Sequence, residues 1–258
     1  MFDWSLYFTA LAAMLAFGLA GWVVSVIKKD VSIVDPMWSM MILLGGAVFF
    51  YSAATDSPRR TLAFILVAAW AIRLCVHITY VHWGKEEDYR YQRIRANNEP
   101  NFTFKSIYIV FGLQAVLGWI VTLPLLAAST GDAPLGLLDY IGVALWLFGM
   151  FFESVGDYQM ANFKSDSSNK GKVYDQGLWR YTRHPNYFGE CVIWWGFFLI
   201  ALSAGGWWSI LSPILMTILL LKVSGVAMLE QDIAERRPAY TQYIKETNAF
   251  IPWIPRRA

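Results

Sequence analysis

Seven stretches of this 258-residue chain stay apolar over lengths that only a membrane-crossing helix needs. A bilayer core takes about 20 residues of helix, and the stretches fall near 5–27, 33–53, 61–83, 106–128, 136–157, 186–204 and 207–229. Breakers separate them, among them Lys28-Lys29-Asp30, Asp56-Ser57-Pro58 and Gly131-Asp132-Ala133-Pro134. The expected fold is all-α: a polytopic bundle of seven transmembrane helices forming one domain over residues 1–258, with an amphipathic tail at 231–258. With 57% hydrophobic and 16% charged residues, the chain is far from a soluble composition. No basic region or small-residue cleavage site precedes the first apolar run, so that run reads as a retained span.

Positive charge orients the bundle. Of 21 Lys and Arg residues, seventeen fall on the side that holds Lys28, Arg95, Lys164 and the tail. Only Arg59 and Arg60 fall on the other, and Arg73 and Lys222 lie within spans. The positive-inside rule then places the N-terminus outside and the C-terminus in the cytoplasm. A net charge of +2 gives no footing for nucleic acid, and no obligate protein partner is indicated. Cys75 and Cys191 both sit in apolar spans as buried thiols. His77, His82 and His184 lack metal-site spacing, so no metal is expected.

Six ionisable residues fall inside spans and toward the cytoplasmic side: Asp35, Glu153, Asp157, Glu190, Lys222 and Glu230. Arg73 lies near mid-depth. Charges at such depth normally face a bundle interior or a watery cavity, which points to a polar chamber open to the cytoplasm. Glu153 and Asp157 are four apart and share a helix face, with Gly149 and Gly156 permitting close helix approach beside them. Asp35 precedes Pro36 and is placed to cap the second span.

The segment Gly177 to Glu190 is the most chemically loaded. Pro185 suits the first turn of a helix, so Arg180, Arg183 and His184 gather at a positive helix end suited to phosphate or carboxylate, with Asn186 and Glu190 following. Between the third and fourth spans, Glu87-Asp88-Tyr89-Arg90-Tyr91 and Arg93-Ile94-Arg95 interleave guanidiniums that clamp phosphates with rings that flank a base. Lys164 to Gln176 is polar and glycine-containing, a lid or a linker. The tail, with Tyr240, Tyr243 and Phe250 to Pro255, reads as an interfacial helix and aromatic belt explained by packing. No G-x-G-x-x-G, Walker-type, G-x-S-x-G or H-E-x-x-H motif occurs, so a nucleotide would have to be held by the bundle itself.

Gly149 to Asp157, Gly177 to Glu190 and the final Tyr-x-x-Tyr with Ile-Pro resemble the steroid 5α-reductase family's C-terminal domain. Val34-Asp35-Pro36, Glu87-Asp88-Tyr89-Arg90-Tyr91 and Arg183-His184-Pro185-Asn186-Tyr187 look most like the bacterial branch of that superfamily, over residues 32–258. The resemblance implies a bacterial inner-membrane enzyme that takes NADPH from the cytoplasm. It would pass hydride to the C=C of a lipophilic enone such as a Δ4-3-oxo steroid. By position the resemblance carries cofactor binding to Arg73, Asp157, Asn186 and Glu190, and the clusters above add Tyr91, Arg95, Lys164, Trp179, Arg180, Arg183, His184 and Tyr187 as cofactor-binding candidates. Hydride addition builds charge on the carbonyl oxygen, which must meet an acid or strong donor. Trp70 stands where the family carries the tyrosine of that donor pair, so the catalytic candidates become Asp35, as a buried acid, and Tyr89. Arg-His-Pro-x-Tyr also occurs in isoprenylcysteine and lipid methyltransferases that use S-adenosylmethionine. Against that alternative, Glu230 is followed by Gln231 where many such enzymes carry paired glutamates.

Overall fold

A computed structural model describes residues 2–52, 57–223, 225–230, 233 and 237–256. Among these residues there is no strand, and seven helices are long and apolar enough to cross a membrane. They are α1 Trp4–Lys28, α2 Val34–Ser52, α3 Pro58–His82, α5 Phe102–Val121, α7 Leu137–Ser165, α8 Pro185–Ser203 and α9 Trp207–Glu230. Three short α-helices stand beside them among the described residues: α4 Tyr89–Asn98, α6 Leu123–Ala128 and α10 Tyr240–Glu246. The ends follow local chemistry. Asp3 accepts the Leu6 amide at 2.9 Å to cap α1, and Lys29 closes it in the left-handed conformation at φ 56°.

Two spans depart from the lengths that hydropathy suggests. The fourth, expected over 106–128, ends at Val121, and α6 follows as a separate helix because Pro124 has no amide to continue the ladder. Thr122, at the joint, donates its hydroxyl to Trp119 O at 2.7 Å. The fifth, expected to end at 157, runs on to Ser165. Tyr158 to Ser165 is polar enough to leave a membrane but holds no Gly or Pro, so the backbone keeps its helix. At 29 residues α7 is roughly 43 Å long, about 13 Å more than a hydrocarbon core.

The chain divides into two compact units, residues 1–136 with 201–211, and residues 137–200 with 212–258. In the first, α1, α2 and α5 enclose a core of Met14, Met41 and Ala115. At the loop end a second cluster forms from Val31, Val34, Tyr91, Phe102, Val110 and Phe111. In the second unit α7 and α8 cross on glycine. Gly142, Gly149 and Gly156 repeat every seven residues along α7, and Gly189 and Gly196 answer on α8. A Cβ on Gly149 would lie 2.6 Å from Gly189 O, and one on Gly142 would lie 2.7 Å from Gly196 O. Backbones that close leave no room for water, and they bury Glu153 to 2% exposure together with Asp157.

Candidate functional site

In the second unit, Pro185 opens α8 as its chemistry requires, and the residues before it turn inward. Arg183 and His184 are only 6% and 4% exposed. Arg183 grips Glu230 with two parallel bonds of 2.7 Å, from Nε to Oε1 and from Nη2 to Oε2. Its Nη1 donates to the carbonyls of Ile244, at 3.3 Å, and Thr247. Burial alone would lower the pKa of Arg183, but Glu230 outweighs it and raises it. His184 Nε2 lies 2.9 Å from Glu230 Oε1, and Tyr187 stacks on the His184 ring at 5.5 Å. All three guanidinium nitrogens of Arg183 are therefore engaged within the protein. Arg180 is exposed.

In the first turn of α8, Asn186 donates from Nδ2 to Asp157 Oδ1 at 3.1 Å. Asn186 Oδ1 is buried and has no hydrogen-bond partner among the described residues, an acceptor left for a ligand N–H. Glu190 follows four residues on, on the same face of α8.

Where α7 overruns its expected end lies a cavity of about 300 Å³. Lys164, Lys170, Lys172 and Arg237 bring four cations to its lining, Asp166 one carboxylate, and Phe163, Tyr174, Trp179, Tyr240 and Tyr243 five flat rings. Residues 164–176 fold back onto the helix. Asp166 caps the 3-10 turn Ser167–Asn169 through Ser168 N at 2.8 Å, and Asn169 donates to Phe163 O at 3.1 Å. Trp179 Nε1 donates to Gly156 O at 3.0 Å, which links this wall to the residue before Asp157. Burial pushes the Tyr240 phenol up to about 12 and raises Tyr243 as well, so both remain protonated donors at neutral pH.

The first unit holds a separate network. Asp35 lies in the first turn of α2, and its carboxylate does not cap the helix. Oδ2 pairs with Arg90 Nη2 at 2.6 Å, and Oδ1 accepts the Tyr91 hydroxyl at 2.5 Å. Asp88 accepts Arg90 Nε at 2.8 Å and the Arg90 amide at 2.9 Å, which caps α4, and His82 Nε2 stands 3.6 Å from its other oxygen. Burial opposes the charge of Asp88, but His82 and Arg90 prevail and hold its carboxyl well below the usual range. Arg95 pairs with Glu87 at 2.7 Å, and Glu87 accepts the Val31 amide at 2.9 Å.

The sequence offers Asp35, as a buried acid, or Tyr89 as the donor; the structure gives Asp35 an ion pair with Arg90 and the hydroxyl of Tyr91. Tyr89 is 51% exposed. On a helix, residues two apart point to nearly opposite sides, and Tyr91 with Ile94 forms the apolar stripe of α4 that seats against Val31, Val34 and Phe102. That i, i+3 spacing was the available signal. Arg73 is half-buried on α3, and Trp70 is fully buried one turn earlier. Sequence reasoning missed Lys170, Lys172, Arg237, Tyr240 and Tyr243 as lining residues, because the tail tyrosines are explained equally well by packing until a cavity is seen beside them.

A DUF1295 family match, described as "Protein of unknown function (DUF1295)", covers residues 21–247. An uncharacterized protein of Schizosaccharomyces pombe is 28% identical over 269 residues, 90% of this chain and 75% of that protein. The 3-oxo-5-alpha-steroid 4-dehydrogenase 1 of Bos taurus is 38% identical over 66 residues, 26% of each chain. The very-long-chain enoyl-CoA reductase of Dictyostelium discoideum is 24% identical over 185 residues, 66% of this chain and 57% of that one. The chain thus spans about a quarter of the Bos taurus protein and little over half of the Dictyostelium discoideum one. No solved structure matches the chain.

Proposed function

The chain belongs to the DUF1295 family, and from that premise we propose that it is a membrane reductase delivering hydride from NADPH to the C=C of a lipophilic enone such as a Δ4-3-oxo steroid. The cavity beside Lys164 is the observation that carries the reading. Its four cations suit phosphate oxygens and its aromatic rings suit a planar base, in a volume sized for one nucleotide portion. The similarity to two named reductases of unsaturated substrates points the same way.

The residues of the second unit fit the group on chemical grounds. A nicotinamide carries a carboxamide N–H₂, and Asn186 Oδ1 is a buried acceptor with none of the described residues to satisfy it. Lys164, Lys170, Lys172 and Arg237 would hold phosphates, with Trp179 and Tyr240 against the base. When bound, NADPH supplies a hydride equivalent.

In the first unit, Tyr91 Oη carries the proton that would polarise a substrate carbonyl; in this state the proton is given to Asp35 Oδ1 in a hydrogen bond, and it would have to turn from Asp35 to the substrate. Burial first, and then Asp35, raise the pKa of Tyr91, so it stays a donor at neutral pH. Asp35 orients that hydroxyl, and Arg90 holds Asp35. This transfers to Tyr91 the role the sequence gives to Tyr89. The positive-inside count assigns the nucleotide end to the cytoplasmic face of the inner membrane, with the hydrophobic substrate arriving from lipid.

The test is anaerobic turnover of NADPH by purified protein with a Δ4-3-oxo steroid and, in parallel, a long-chain trans-2-enoyl thioester. Consumption with either supports the reading. No NADPH binding and no consumption with both sinks it, and thermal stabilisation by S-adenosylmethionine alone would replace it with methyl transfer.

A further inference from the structure

Residues 177–184 hold only one short turn, Gly177–Arg180, yet their backbone is largely hydrogen-bonded, and to a segment more than sixty residues away. The Arg183 amide donates to Asn248 O at 2.9 Å, and the Trp253 amide to Tyr181 O at 2.9 Å. The Thr182 hydroxyl donates to Phe250 O at 2.8 Å, Thr247 Oγ1 to Arg180 O at 3.3 Å, and the Tyr243 hydroxyl to Trp179 O. The C-terminal stretch is a strap laid across this loop.

The Arg183 guanidinium lies under the strap. Ile244 O and Thr247 O, to which it donates, belong to the last turn of α10 and its C-cap, where carbonyls lack partners within the helix. The Tyr240 phenol, in the first turn of the same helix, lies near enough for the guanidinium to oppose the rise of its pKa. Tyr240 packs edge-on against Tyr243 at 5.2 Å, and these two rings are a wall of the cavity. Glu230, with both oxygens on the guanidinium, fixes its direction.

We propose that Arg183 is a positioning residue: held by Glu230, it caps α10 and so sets the tyrosine wall of the cavity, and it does not itself contact phosphate. The first part stands on geometry alone, and the effect on nucleotide rests on the function proposed above. Two consequences separate positioning from contact. A contact to the 2′-phosphate would favour NADPH over NADH, whereas a misplaced wall weakens both alike. A cap also slows backbone opening in α10 with no nucleotide present.

The experiment uses the full-length chain in lipid nanodiscs and three proteins: wild type, Arg183→Lys, which keeps the charge but loses the fork, and Thr182→Val, which removes a strap bond away from the guanidinium. Arg183→Lys is expected to raise the Kd of NADPH and of NADH by about the same factor, on the order of tenfold. It is also expected to speed hydrogen exchange across 240–253 in the nucleotide-free protein, and Thr182→Val should shift exchange in the same direction by less. Loss of NADPH-over-NADH preference with unchanged exchange overturns the proposal in favour of direct contact, and unchanged binding with unchanged exchange overturns it outright. Should wild type bind neither dinucleotide, the proposed function fails, and the exchange result alone still decides the latch: faster supports it, unchanged refutes it.

Discussion

Arg90 in the first unit and Arg183 in the second both come from segments between spans, and both pair with a carboxylate on a spanning helix, yet they do different work. Arg90 stays local. It has two carboxylates, Asp88 two residues away and Asp35 on α2, and Asp35 keeps an oxygen free for the Tyr91 phenol. Arg183 reaches across the unit to Glu230, and spends its remaining donors on backbone carbonyls of the strap. A guanidinium shared between two acids leaves a phenol and carboxylate poised for proton chemistry, whereas one bound to a single acid and two carbonyls has become part of the frame.

The sharpest way to break this contrast is to take one acid from each arginine. Glu230→Ala leaves Arg183 buried with no carboxylate among its described contacts, and should destabilise the protein by about 3 kcal/mol or more. Asp88→Ala leaves Arg90 its bond to Asp35, and should cost about 1 kcal/mol, largely the lost cap of α4. Thermal unfolding in detergent measures both, and equal losses would erase the distinction.

A second contrast concerns chemistry. Tyr91→Phe should slow enone reduction by roughly a hundredfold or more, the usual penalty for deleting a donor to a developing oxyanion, while Tyr89→Phe, on the exposed side of α4, should change the rate less than about twofold. Comparable losses in the two variants would move the donor away from Asp35.

The smallest effect is one of pH. Asp88 has its folded pKa depressed, so its contribution to stability is fully present above the ordinary aspartate range and is lost as pH falls through the folded value. Hydrogen exchange in α4 should therefore quicken below about pH 4, and Asp88→Asn should flatten that dependence. The opposite sign would mean that burial, which raises the pKa, dominates at this carboxyl.

Much of the frame is legible along the chain. Pro185 opens α8, and Gly149 and Gly156 on α7 announce a close crossing, whereas the bond from Asn186 to Asp157 has no signal in the sequence. What misled was local economy. Hydropathy ends at Asp157 because lipid ends there, but a helix needs only good formers and no breaker, so α7 runs on and carries the cavity with it. Asp35 before Pro36 has the pattern of a cap, yet the stronger demand comes from Arg90 and Tyr91, more than fifty residues later.

The sequence by itself determined seven helices and their approximate lengths, because bilayer thickness is fixed and apolar residues contribute to crossing it nearly independently of one another. Only the tertiary structure decided which arginine serves which acid and which tyrosine faces inward. Several partners of the right charge were present along the chain, and the choice among them depends on distances of 2.5 to 2.9 Å that helix crossings, strap and loop set together.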